Sequence, residues 1–232
     1  MKNGRSRIVP SEGETDGRRR RGALARAAIL DRAMDVASVA GFEGLTLGSL
    51  ASDLGISKGN ITVLFGDKEM LQIKTLDAAV DVFTAKVITP SLAETSPAKR
   101  LRCLCRGWFD YVDRRVFPGG CLMYAASNEY RTRPGNIQDH VKKYRAAWKA
   151  LLARTIRDAQ KARQINAEQD VDQLVFKLTA FQSAANTASL LGDADYFLLS
   201  RTMTEAAIDE AETADRPALP ARRKTSAKRE RP

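Results

Sequence analysis

Between residues 23 and 39 the apolar side chains Leu24, Ala27, Ala28, Leu30, Ala33, Met34, Ala37 and Val39 recur mostly at steps of three and four. That spacing lines one face of a helix, and Gly41 follows as a stop. Residues 47–54 and 58–65 carry two shorter helical patterns on either side of Gly55. Asp67 is placed to cap a long helix that runs to Pro90, whose nitrogen has no proton to donate. Ser96 followed by Pro97 opens a helix with Leu101, Leu104, Trp108, Tyr111 and Val112 on one side, and Phe117-Pro118-Gly119-Gly120 breaks it. A short helix over about 121–131 ends at Arg133-Pro134-Gly135, and three longer ones are expected at 136–163, 170–191 and 194–212. No segment alternates apolar and polar residues for long enough to make a strand, so the pattern predicts an all-α protein without internal repeats.

One segment carries chemistry. In residues 47–66, LGSLASDLGISKGNITVLFG, the apolar residues Leu50, Leu54, Ile56, Ile61 and Leu64 are spaced to bury two short helices against each other and against the first helix. Ala51 is small where the helices cross, and Gly55 stands at the turn, where a left-handed backbone favours glycine. Ser57 then caps a second helix whose opening turn presents Lys58, Gly59 and Asn60, residues suited to entering a major groove. An ordinary helical hairpin with a glycine turn satisfies the same spacing.

The charge pattern adds to this picture. The net charge is +10, and the excess is confined to residues 1–26 and 216–232, with near-balance between them. These ends are rich in Arg, Gly, Ser and Pro and poor in apolar residues, so 1–21 and 213–232 are expected to be disordered basic arms for a polyanion or for solubility. A hydrophobic fraction of 44% without any apolar run near the roughly 18 residues of a membrane span speaks against a membrane partner. The first residues carry no apolar stretch of the kind a secretory signal needs, and three cysteines, Cys103, Cys105 and Cys121, are odd in number, so a cytoplasmic protein with free thiols is expected.

The residues around the helical pair resemble a known family. Ala28, Ile29, Leu30, Ala33 and Ala37, then Gly41-Phe42, Leu45-Thr46-Leu47, Leu50-Ala51, Leu54-Gly55-Ile56-Ser57-Lys58-Gly59, Leu64-Phe65 and Asp67-Lys68-Glu69-Met70-Leu71 look like the N-terminal DNA-binding domain of TetR-family transcriptional regulators. Phe117-Pro118-Gly119-Gly120-Cys121-Leu122 and Arg133-Pro134-Gly135 resemble a sub-group with a Pro-Gly-Gly-Cys turn in its ligand domain. The chain departs from the family at Thr62, where an aromatic is usual, and at Leu64, where His is common. The resemblance implies that Thr46, Ser57, Thr62 and Lys68 approach phosphates and that Lys58, Gly59 and Asn60 lie nearest the base edges. Arg18 to Arg21, with Arg20 and Arg21 next to the first helix, either reach an adjacent minor groove or add salt-sensitive affinity alone.

The organisation expected is a helix-turn-helix domain over 22–67 and a helical effector-binding and dimerisation domain over 68–212. The resemblance implies a pocket for a small hydrophobic or aromatic effector, with Trp108, Tyr111, Tyr124, Glu129, Tyr144 and Trp148 as its residues, and Asn128, Gln138 and His140 as further polar groups. A plain core role for the aromatics stays open. Cys121 opens a helix, which lowers a thiol pKa, so thiol sensing is an alternative. The stripe Leu174, Leu178, Phe181, Ala185 and Ala188, together with Phe197 on the next helix, is expected to form the interface of a homodimer reading a palindromic operator. A single histidine, no glycine-rich phosphate loop and no metal motif argue against an enzyme and against a cofactor or metal. A sequence-blind architectural DNA binder is the remaining alternative.

Overall fold

The computed structural model describes residues 12–213. Ten α-helices make up the described residues, with no strand among them. They are α1 (Glu12–Gly44), α2 (Leu47–Leu54), α3 (Lys58–Phe65), α4 (Lys68–Phe83), α5 (Thr89–Leu92), α6 (Pro97–Asp113), α7 (Leu122–Glu129), α8 (Asn136–Lys161), α9 (Val171–Leu191) and α10 (Ala194–Thr213). The arm expected over 1–21 is shorter than the sequence suggests, because the chain is helical from Glu12. Arginine is a good helix former, and extending a helix already nucleated at 23–39 costs little per residue. Residues 1–11 and 214–232, with most of the expected basic arms, lie outside the described residues. Gly41 takes φ 75 inside α1, so the helix kinks where the sequence expects it to stop.

The caps follow local chemistry. The side chains of Thr46, Ser57, Asp67, Ser96 and Asp170 each accept from the amide three residues on, fixing the starts of α2, α3, α4, α6 and α9. Pro90 does not end the α4 run as expected. The amide of Thr89 donates back five residues to Thr84, forming a π-turn over Thr84–Ile88, and the chain carries the proline as the second residue of α5.

Helices of eight residues are too short to persist alone, so α2 and α3 depend on burial. Leu50, Ile61 and Phe65 are buried with Ile29, Ala33 and Ala37 of α1 and Leu71 and Leu76 of α4, and each fully buried large side chain contributes about 1.5–3 kcal/mol. This core does not stop at residue 67. It continues through Trp108, Phe109 and Tyr111 of α6 and Leu122 of α7 to Val141 of α8, so the helix-turn-helix and the ligand region share one packed interior. A second cluster joins α6, α8, α9 and α10 around Leu104, Leu152, Ile156, Leu178 and Ile208. Arg102 of α6 anchors α10 by ion pairs to Glu205 at 3.1 Å, Asp209 at 2.6 Å and Glu212 at 2.7 Å.

The stripe expected to form a dimer faces inward. Leu174, Leu178, Ala185 and Ala188 are buried inside the protomer, and Phe197 meets Phe109 of α6 edge-on at 5.7 Å. Phe181 is half-buried against the second cluster. The regular apolar spacing belongs to the face that must pack on the chain's own core. Other apolar residues of these helices are exposed instead: Phe176, Leu190 and Leu191 of α9, at 73% for Phe176 and 80% for Leu191, and Tyr196, Leu198, Leu199 and Met203 of α10.

Candidate DNA interface and ligand cavity

Two sites follow from this packing. At the first, Gly55 (φ 62) turns the chain between α2 and α3, and Ser57 accepts from the Asn60 amide at 3.2 Å. Lys58, Gly59 and Asn60 are then exposed on the opening turn of α3, with Thr62 and Val63 beyond them. Thr46 is the α2 cap and shares a capping box with Ser49. Arg20 and Arg21 are exposed on α1.

Besides the capping side chains of Thr46 and Ser57, the other two expected phosphate contacts are also engaged within the protein. The Thr62 hydroxyl donates to the Lys58 carbonyl at 3.0 Å. Lys68 donates to the Glu43 carboxylate at 2.9 Å and to its backbone carbonyl at 3.2 Å. That lysine holds the Glu43 carboxyl below its ordinary range, first through the hydrogen bond and then through its charge. Leu64, at the position where the family often has His, is half-buried, and its carbonyl accepts from Arg26 at 2.8 Å. Val63 is a residue the sequence reading passes over. It is 86% exposed on the outer side of α3, although its apolar type suggests core.

The second site is a cavity of about 310 Å³ between α4, α6, α7 and α8. Trp108, Tyr111, Tyr124, Tyr144 and Trp148 all line it, joined by Phe83 and Thr84 of the α4 run and Thr179 of α9. The rings are locked edge to face: Phe83 meets Tyr111 at 5.4 Å and Trp148 at 5.2 Å, and Trp108 meets Tyr124 at 5.8 Å. Trp148 donates to Gln182 at 3.0 Å, Tyr124 to the Thr179 carbonyl at 3.1 Å, and Tyr144 to Asp77 at 2.6 Å. Burial and the bond to Asp77 push the Tyr144 hydroxyl up to about 12, so it remains a donor. Trp108 and Tyr111 are core residues that also wall the cavity.

Glu129 is not among the lining residues. It sits at the far end of α7, where its carboxylate accepts from the amides of Phe42 and Glu43, each at 2.7 Å. A Cβ on Gly41 would lie 2.8 Å from that carboxylate, so glycine there permits the approach. The residues are 86 and 87 positions apart, and no local signal in the sequence joins them. His140 and Gln138 also point elsewhere: His140 Nδ1 is 2.8 Å from the Asn136 carbonyl, and Gln138 donates to the Tyr130 carbonyl at 2.9 Å. Cys121 lines the cavity but is buried, and burial pushes its thiol up despite the opposing Tyr124 and Met123 amides. The helix start therefore does not yield the reactive thiolate that sensing needs.

The turn before α7 fixes it to two neighbours. The Gly119 amide donates to the Ser38 hydroxyl at 3.0 Å, and the Cys121 amide donates to Asn186 of α9 at 2.9 Å. A Cβ on Gly119 would overlap the Ser38 carbonyl.

The chain thus combines a helix-turn-helix whose second helix is exposed with a helical body that encloses an aromatic cavity, the two packed into one interior. Residues 97–204 match the family described as tetracyclin repressor-like, C-terminal domain. Solved structures share the fold. The TetR-family regulator from Cytophaga hutchinsonii is 22% identical with a TM-score of 0.71, covering 83% of this chain and 97% of its own. A regulator from Saccharomonospora viridis in complex with choline is 22% identical with a TM-score of 0.66, covering 81% and 96%. AibR, in complex with isovaleryl coenzyme A and operator DNA, is 15% identical with a TM-score of 0.60, covering 80% and 97%. No curated protein matches the chain by sequence. Residues 97–204 thus match a tetracyclin repressor-like C-terminal domain, and the chain as a whole shares the fold of solved TetR-family regulators. Among the described residues no helix is long and apolar enough to cross a membrane.

Proposed function

We propose that the chain acts in the cytoplasm as a homodimeric repressor, released from a palindromic operator by a small effector, with a DNA-binding unit over 22–67 and an effector and dimerisation unit over 68–212. One observation carries the release step: α7 contributes cavity residues at its start and the clamp on Phe42 and Glu43 at its end. An effector that displaces α7 thus acts on the backbone leading into α2. In this reading Asn60 and Lys58 read bases, Val63 offers apolar contact to a thymine methyl, and Thr46, Ser57, Arg20 and Arg21 meet the backbone. Lys68 contributes to phosphate binding by exchanging Glu43 for an anionic oxygen. The exposed face of α9 and α10 pairs with its copy, setting the two α3 helices about one helical turn of DNA apart.

The test is selection of bound genomic fragments, followed by titration of a selected fragment and a scrambled duplex at matched salt. The repressor reading expects a preference of about 10³-fold or more for the selected fragment and its loss on adding effector. Equal affinity for both duplexes would establish a sequence-blind architectural binder instead.

A further inference from the structure

The neighbours with bound ligands leave the charge of this chain's effector undefined, and the cavity walls supply it. The only charged residues among the cavity lining are Arg145 and Lys149, both on α8. Neither forms an ion pair to an acidic side chain among the described residues. Arg145 is half-buried; its guanidinium lies 5.2 Å from the centre of the Tyr124 ring and donates to Ser127 Oγ at 3.2 Å. Lys149 is exposed, one helical turn on from Arg145 and on the same face. Asp77, beside the cavity, accepts from Tyr144 and pairs with Lys74 at 2.9 Å rather than with Arg145. The half-buried Arg145 thus presents a charge and further donors beside an otherwise apolar chamber, and its fork matches a carboxylate.

We propose that the effector is an amphipathic monoanion, a hydrophobic carboxylate whose apolar part fills the aromatic chamber while its carboxylate meets Arg145, with Lys149 adding charge at the mouth. The volume sits at the small end of ligand pockets, which run from roughly 300 to 1,000 Å³, so the whole molecule is compact. A quaternary amine is excluded by the two like charges. The inference rests on the effector-cavity reading above and narrows it.

The only tryptophans, Trp108 and Trp148, both line the cavity, so intrinsic fluorescence reports occupancy. The probes are octanoate, octan-1-ol and octyltrimethylammonium, a series that differs in charge at nearly constant apolar size. The expected result is half-saturation by octanoate at a concentration at least tenfold below that of octanol, with no response to the ammonium compound. Arg145→Gln should bring the acid and the alcohol to within about threefold of each other, and Arg145→Lys should retain the preference for the acid. Circular dichroism confirms that each variant is folded. Octanol matching octanoate in the wild type, or a preference that survives in the folded Arg145→Gln, Lys149→Gln double variant, overturns the carboxylate proposal and leaves the effector cavity standing. Silence of both tryptophans to all three compounds overturns the cavity reading along with it.

Discussion

On the exposed turn of α3, Asn60 has a free carboxamide whose two polar atoms can pair with adenine, while Lys68 is a point charge already shared with Glu43. Their substitutions should therefore differ in kind. Asn60→Ala should weaken operator binding by about 1–3 kcal/mol and leave a scrambled duplex nearly unaffected. Lys68→Ala should weaken both duplexes, but by less than a free lysine would, because moving to a phosphate costs the Glu43 contact. The complementary change, Glu43→Gln, should strengthen binding to both duplexes, because Lys68 then reaches a phosphate without giving up its ion pair. Isotherms at four salt concentrations read all three, and an unchanged salt slope in Lys68→Ala would place Lys68 off the DNA. Because the Glu43 carboxyl is held below its ordinary range, the pair persists above that range and is lost only as the pH falls through the depressed value, so these measurements are insensitive to pH near neutrality.

If α9 and α10 carry the dimer interface proposed above, their two faces make opposite demands. Phe176 is 73% exposed, so Phe176→Asp should leave the protomer folded and convert a dimer to a monomer in sedimentation at micromolar concentration. Ala185 is fully buried, and Ala185→Asp should instead lower the melting temperature sharply, since an unpaired carboxylate in the core costs several kcal/mol. A Phe176→Asp variant that still sediments as a dimer would move the interface off this face. The same pair of helices shows which information is local. Caps at Thr46, Ser57, Asp67, Ser96 and Asp170, the left-handed Gly55 and the helical spacing are written in neighbouring residues, so the helices and the recognition turn were legible in the sequence. Which of two apolar faces turns inward depends on partners far along the chain. The stripe Leu174, Leu178, Ala185 and Ala188 has the cleaner period because a core face needs it, and it hides the outer face on which Phe176, Leu199 and Met203 are more widely spaced. The cavity aromatics were legible for a related reason, since large rings clustered on three helices must meet somewhere inside. The role of Glu129, set by an 87-residue separation from Phe42, was not.

In the repressor proposed above, occupancy of the cavity must reach α3 across the whole molecule. Two connections run that way. One is the α4 run, which gives Phe83 and Thr84 to the cavity and packs on α1 and α3 at its start. The other is α7, with Tyr124 on the cavity and Glu129 on the Phe42 and Glu43 amides; the same segment is held to Gln72 of α4 through the Phe42 carbonyl and to Lys68 through Glu43. Hydrogen bonds to an ionised carboxylate contribute about 1.5–3 kcal/mol each, comparable to the 1–3 kcal/mol typical of allosteric coupling, so the α7 clamp is strong enough to transmit the whole effect. Glu129→Gln keeps the shape but presents an N–H₂ group to one of the two amides, removing one bond and opposing donor to donor. The expected outcome is that tryptophan fluorescence still reports octanoate binding within about threefold of wild type, while the ratio of operator affinities without and with octanoate falls from tenfold or more toward one. Linkage supplies an internal check, because operator DNA must then also lose its effect on octanoate affinity. Gly119→Ala, which drives the turn before α7 into the Ser38 carbonyl, should disturb the same connection from its other end and lower operator affinity even without effector. If Glu129→Gln retains the full wild-type ratio, the α7 clamp serves stability alone and the signal passes through the α4 run.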